Sequence, residues 1–146
     1  MASQVENFRT KTEEDEIVDA IRQAERRTSG EIRVHLEHTS DLPPFERAKT
    51  LFAELKMHNT KAENGVLIYV AVNDKKFAIC GDRGIHQKVP DDFWESTKEL
   101  IQSHFKRGQF KQGLISGIES AGEQLRKFFP WETDDRNELS DEISTS

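Results

Sequence analysis

A chain of 146 residues with 34% hydrophobic content fits one domain, with a compact core under a surface on which charge is dense (33% Asp, Glu, Lys and Arg). Its formal net charge of −6 excludes the basic footprint that nucleic acids and anionic membranes require, and is compatible with cations as ligands. The single cysteine, Cys80, rules out an intrachain disulfide and a cysteine-rich zinc site.

The first residues, Met1 to Glu6, lack a basic stretch followed by an apolar one, and no window approaches the roughly 20 apolar residues of a membrane span. A cytoplasmic protein with a reduced thiol is expected, monomeric and independent of membrane and nucleic acid. The first helix is predicted from Thr12, with the acidic turn Glu13 to Glu16 at its positive end and Ile17, Ala20, Ile21 and Ala24 as its buried stripe. Residues 1–11 precede the domain as an N-terminal segment. After Ser29-Gly30, the stretch Glu31–Glu37 alternates as a strand. Ile32, Val34 and Leu36 share one face and Glu31, Arg33, His35 and Glu37 the other, so cover is expected on one side only.

Past the turn at Asp41–Pro44, a second helix is predicted over Phe45–Met57, with Phe45, Ala48, Leu51, Phe52 and Leu55 on its core side. Asn64-Gly65 then punctuates the entry to Val66–Val72, whose β-branched, two-sided apolar character marks a central strand. Asn73-Asp74-Lys75 reads as a hairpin turn into Lys76–Gly81, and a short fourth strand is expected near His86–Val89. Asp91-Asp92 is read as the cap of a third helix through Phe93 and Phe105, ended by Gly108. A fourth helix runs to Phe128 and is stopped by Pro130. The domain thus spans 12–130, and 131–146 reads as an acidic, disordered tail.

The order α-β-α-β-β-α-α predicts an α/β fold of three layers, a small mixed sheet between helices, with two helices expected on each face. Strands one and two pair in parallel and the hairpin adds strand three antiparallel. That topology gathers Glu31, Asn64 and Asp82 at one edge of the sheet, with Asp91 and Asp92 nearby. These are oxygen ligands of the kind hard divalent cations take. The plainer alternative is a solvated strand-edge charge at Glu31, a turn former at Asp82 and a helix cap at Asp91. The residues alone leave both open.

Catalytic signals are sparse. Cys80 lies inside a strand and reads as a small buried residue rather than a phosphatase thiolate. Asp74 reads as a turn residue. His35 and His38 point to opposite faces of a strand, and His58, His86 and His104 are dispersed.

Five passages in order resemble the TPM domain family: Ser29-Gly30-Glu31-Ile32-Arg33-Val34; Arg47-Ala48 with Leu51-Phe52; Asn64-Gly65-Val66-Leu67-Ile68-Tyr69-Val70-Ala71; Ala78-Ile79-Cys80-Gly81-Asp82-Arg83-Gly84-Ile85; and Phe105 with Gly108-Gln109-Phe110, Gly113-Leu114 and Gly117-Ile118. The resemblance spans about Glu14 to Phe128. It implies an α/β/α sandwich and divalent-cation binding, with Asp82, Asp92, Glu31, Asp91 and Asn64 as the candidate ligands here. Some chloroplast relatives are described as acid phosphatases of photosystem repair and others as accessory proteins, many with a signal peptide and membrane anchor, neither of which is expected here. The reading preferred on this basis is a stand-alone domain that binds Ca²⁺ or Mg²⁺ and acts as an accessory or interaction module for a protein partner, without strong catalysis. The alternative is a divalent-metal-dependent acid phosphatase.

Overall fold

The computed structural model describes residues 11–131 and 143–145. Its elements are α1 (Lys11–Glu25), β1 (Glu31–Glu37), α2 (Pro44–Glu54), β2 (Gly65–Ala71), β3 (Lys76–Gly81), the short α3 (Arg83–His86), α4 (Glu95–Lys106), α5 (Phe110–Arg126) and β4 (Ser144–Thr145). The strands form one sheet in the order β3-β2-β1-β4. β1 and β2 run parallel with Glu31 opposite Gly65, and β2 and β3 run antiparallel with Val66 opposite Gly81. The parallel pair and the hairpin are those the periodicity predicts.

The two faces of the sheet are loaded unequally. Ile32, Val34, Leu36, Val66, Ile68, Val70 and Ile79 meet the stripes of α1, α4 and α5, including Ile17, Ile21, Ile101, Phe105, Leu114 and Ile118, in one large core. The opposite face, Leu67, Tyr69, Ala71, Ala78 and Cys80, is covered by α2 through Ala48, Leu51 and Phe52; Phe45, expected on that core side, is instead exposed in the first turn of the helix. The expectation of two helices per face is therefore corrected to three against one. An amphipathic stripe shows that a helix has a buried side, but not which face of the sheet receives it.

Helices α1, α4 and α5 pack closely because small residues stand where they meet. A Cβ on Gly122 would come within 2.8 Å of the Ala24 Cβ, and one on Gly117 within 2.6 Å of Ile101. Gly108 ends α4 with φ +73°, and nothing lies within 4 Å of where its Cβ would be. Its role is thus purely the left-handed backbone. Gly108→Ala should lower unfolding free energy by about 1 kcal/mol, measured by urea titration. No change would show that Gly108 serves no such role.

Three other local expectations are corrected. His86–Val89 is not a strand: Ile85 and Val89 are four apart, and the Val89 N–H donates to the Ile85 carbonyl at 3.2 Å, so the segment is a helical turn. Asp91 and Asp92 do not cap α4, which begins at Glu95 after Trp94 with no side-chain cap. Of the tail expected to be solvated, Ile143 is buried and Ser144–Thr145 pairs in parallel with His35–Leu36. The rest of that tail, 132–142 and Ser146, and the N-terminal segment before Lys11 lie outside the described residues.

The polar face of β1 is not solvated either. Glu31 and His35 are 3% and 2% exposed. His35 Nδ1 lies 2.8 Å from Ser144 Oγ, and its ring stacks on Tyr69. Arg47 donates to Glu37 at 2.8 Å, and the Tyr69 hydroxyl donates to Glu37 at 2.7 Å. Burial followed by the Glu37 hydrogen bond pushes the Tyr69 phenol up to about 12. These partners are what allow a charged strand face to be covered.

Candidate functional site

The parallel and antiparallel ladders converge at the end of the sheet where β1 and β2 begin and β3 ends. The Glu31 N–H donates to the Asn64 carbonyl at 3.2 Å, and the Asp82 N–H donates to the Gly65 carbonyl at 2.9 Å. Glu31, Gly65 and Asp82 therefore stand side by side across three strands. By alternation with the core residues Ile32 and Cys80, both carboxylates lie on the face covered by α2. At about 4.8 Å per strand their Cα atoms are about 10 Å apart, with a glycine between them.

Asp82 is 3% exposed. Its Oδ1 caps α3 by accepting from the Arg83 N–H at 2.7 Å, and also lies 3.1 Å from His58 Nδ1. Its Oδ2 is buried and has no hydrogen-bond partner among the described residues. His58 is positioned by an edge-on contact with Phe52, ring centroids 4.7 Å apart, and its side chain is 62% exposed. The carboxylate oxygen can only accept, so His58 Nδ1 carries the proton in this pair and Nε2 is left toward solvent.

The segment 60–64 is pinned beneath this pair. The Asn64 N–H donates to Thr60 Oγ1 at 3.2 Å, the Asn64 side-chain amide donates to Ser29 Oγ at 3.3 Å, and the Gly84 N–H donates to the Glu63 carbonyl at 2.9 Å. Arg83 grips Glu63 through two hydrogen bonds of 2.6 Å, which hold the Glu63 carboxyl below its usual range.

Of the five sequence candidates, the structure brings Glu31, Asn64 and Asp82 to one end of the sheet. Asn64 serves there as a tether to Ser29. Asp91 and Asp92 are exposed in the turn before α4, ahead of Phe93 and Trp94, which enter the core on the other face. Among the described residues, no three His, Cys, Asp or Glu side chains converge as a metal-holding group. Sequence reasoning missed His58. The available signal was its place at the start of the loop that ends at Asn64-Gly65.

Among the described residues, Asp82 Oδ2 is a buried acceptor without a donor, and Glu31 is a second buried carboxylate two strands away. Burial, the largest effect, pushes the Cys80 thiol up to about 11, so it is an inert buried side chain. Asp74 accepts from Thr39 Oγ1 at 2.7 Å and from the Ser40 N–H at 3.2 Å, which is a turn role.

The profile of the TPM domain matches residues 4–124. The chain belongs to the TPM domain family. The solution structure of the BA42 protein from the psychrophilic bacterium Bizionia argentinensis is 59% identical, with a TM-score of 0.92 over 97% of this chain and 98% of that one. The N-terminal domain of a P. gingivalis protein shares the fold at 19% identity and TM-score 0.69, covering 84% of this chain and 79% of that one. A Corynebacterium glutamicum N-terminal domain does so at 11% identity and TM-score 0.66, covering 94% and 81%. No curated protein matches. Among the described residues of this TPM domain, no helix is long and apolar enough to cross a membrane.

Proposed function

We propose that this TPM domain binds a divalent cation, Ca²⁺ or Mg²⁺, at the Asp82–Glu31 end of the sheet, and works as an accessory or interaction module rather than as a strong catalyst. The observation that carries the reading is Asp82 Oδ2, a carboxylate oxygen buried with no donor among the described residues. Leaving such a group unmade is unfavourable by about 1–3 kcal/mol or more, and a cation removes that penalty. Glu31 supplies the second carboxylate, Asn64 and its tether to Ser29 hold the strand ends together, and water completes the coordination that these ions need. His58 holds Oδ1, which leaves Oδ2 as the oxygen free to bind.

The acid-phosphatase alternative draws less support from the same residues. Arg83, the cation nearest the site in sequence, is committed to Glu63, and Cys80 is buried as a thiol. Calorimetric titration with CaCl₂ and MgCl₂ tests the proposal. Asp82→Asn should weaken binding by about tenfold or more, whereas Asp91→Asn and Asp92→Asn should change it by less than about threefold. Equal affinity in wild type and Asp82→Asn would end the proposal.

A further inference from the structure

At the other end of β3, on the order of 20 Å from Asp82 by the rise of six strand residues, lies a surface of opposite character. Among the described residues, β3 is an edge strand. The Asp82–Gly65 hydrogen bond sets the phase of the ladder, so Lys76, Ala78 and Cys80 bond toward β2, and the N–H and C=O groups of Phe77, Ile79 and Gly81 point outward. Ile79 and Gly81 are buried, whereas Phe77 is only half-buried.

Beside Phe77 runs a groove between the start of α2 and the end of α4, lined by Pro44, Lys75, Lys76, Gln102, Phe105 and Lys106. The Phe77 and Phe105 rings meet edge-to-face at 5.6 Å and form its floor. Among the described residues, none of Lys75, Lys76 and Lys106 takes part in an ion pair. With Glu46 in its first turn and no side-chain cap, the N-terminus of α2 stands beside them at Pro44. Phe45, the next residue, is 46% exposed, with the Lys49 ammonium 5.4 Å from its ring centre.

A chain of net charge −6 thus carries a local cationic groove with an apolar floor and, among the described residues, an open strand edge. We propose that this groove docks an extended acidic segment of a partner protein. The segment adds one or two residues of strand to Phe77, sets its carboxylates against Lys75, Lys76 and Lys106, and lays an apolar side chain on the Phe77–Phe105 floor. The site stands apart from the cation reading, because it shares no residue with Asp82 or Glu31.

The probe is a capped peptide of ten residues alternating glutamate and valine, followed by amide chemical shifts, by hydrogen exchange and by fluorescence anisotropy. Shifts should be confined to residues 44–45, 75–78 and 102–106, with exchange at the Phe77 amide slowed about tenfold or more. Affinity should fall when salt is raised from about 50 to about 300 mM. Lys76→Glu combined with Lys106→Glu, both at exposed positions, should weaken binding by about tenfold or more. Asp82→Asn should bind the peptide as wild type does, whatever it does to cation binding. The proposal is overturned if the double variant binds as wild type, if a lysine-valine peptide binds as well, or if sodium sulfate alone reproduces the shifts and the Phe77 protection.

Discussion

Gly84→Ala should destabilise the fold by about 3 kcal/mol, one of the largest effects of any one-carbon change in this chain. An added Cβ would come within 2.6 Å of the Glu63 carbonyl oxygen, and closer still to that of Ala62. Both obstacles are backbone, and neither is free to retreat. The Glu63 carbonyl is already bound by the Gly84 N–H at 2.9 Å, and the Glu63 N–H donates to the Thr60 carbonyl at 3.2 Å. Glu63 itself sits at φ 50°, a conformation that a residue with a side chain adopts only under constraint. Moving this segment would also move Asn64, whose carbonyl anchors β1, and would loosen the seat of Asp82. Gly84→Ala should therefore perturb the amides of Glu31, Asn64 and Asp82 as well as lower the urea midpoint. A loss below about 0.5 kcal/mol would show that the close approach is not needed.

Stability should also fall by about 2–3 kcal/mol between pH 7 and pH 4.5 through one histidine. Burial, the dominant effect, lowers the pKa of His35 from 6.5 to about 4. Arg47 and Arg33 act in the same direction, and Glu37 opposes them. A group with a depressed folded pKa contributes fully above its unfolded pKa. That contribution disappears as pH falls, because the unfolded chain takes up the proton that the folded chain refuses. The window is therefore about pH 6.5 down to about 4. Glu63 and Asp74, held below the usual carboxylate range by hydrogen bonds from Arg83 and Thr39, lose their contributions further down. His35→Gln, which keeps a group able to meet Ser144 Oγ, should flatten the slope in this window. An unchanged slope in that variant would assign the acid sensitivity elsewhere.

Much of this architecture was legible because strand periodicity is local. Glu31–Glu37 and the run from Gly65 were readable from alternation and from a β-branched apolar run, and the hairpin from Asn73-Asp74-Lys75. What the sequence concealed is tertiary in origin. The three-to-one division of helices depends on which sheet face each stripe meets. β4 is two residues long and owes its existence to pairing with β1 and to the burial of Ile143. Asp91-Asp92 reads as a cap because Asp favours that position, yet Phe93 and Trp94 intervene and the helix starts after Trp94.

The candidate site divides along the same line. The β-α-β-β order alone placed Glu31, Asn64 and Asp82 at one sheet end. Asp91 and Asp92 follow a connection whose direction no local rule gives. His58 went unread because its role arises from Phe52 and Asp82, residues that neighbour it only in the folded chain. The lysine groove was likewise invisible, since Lys75, Lys76 and Lys106 come together through the packing of α4 against β3.

The most direct test of the central claim is a residue-resolved titration of the full chain with CaCl₂ and MgCl₂, followed through backbone amide shifts in wild type and Asp82→Asn. The cation reading predicts saturable shifts centred on Glu31, Gly65, Asp82 and His58, absent from the variant and from Lys75–Ala78. Shifts that are absent, or that spread over the exposed acidic surface and persist in Asp82→Asn, would contradict it.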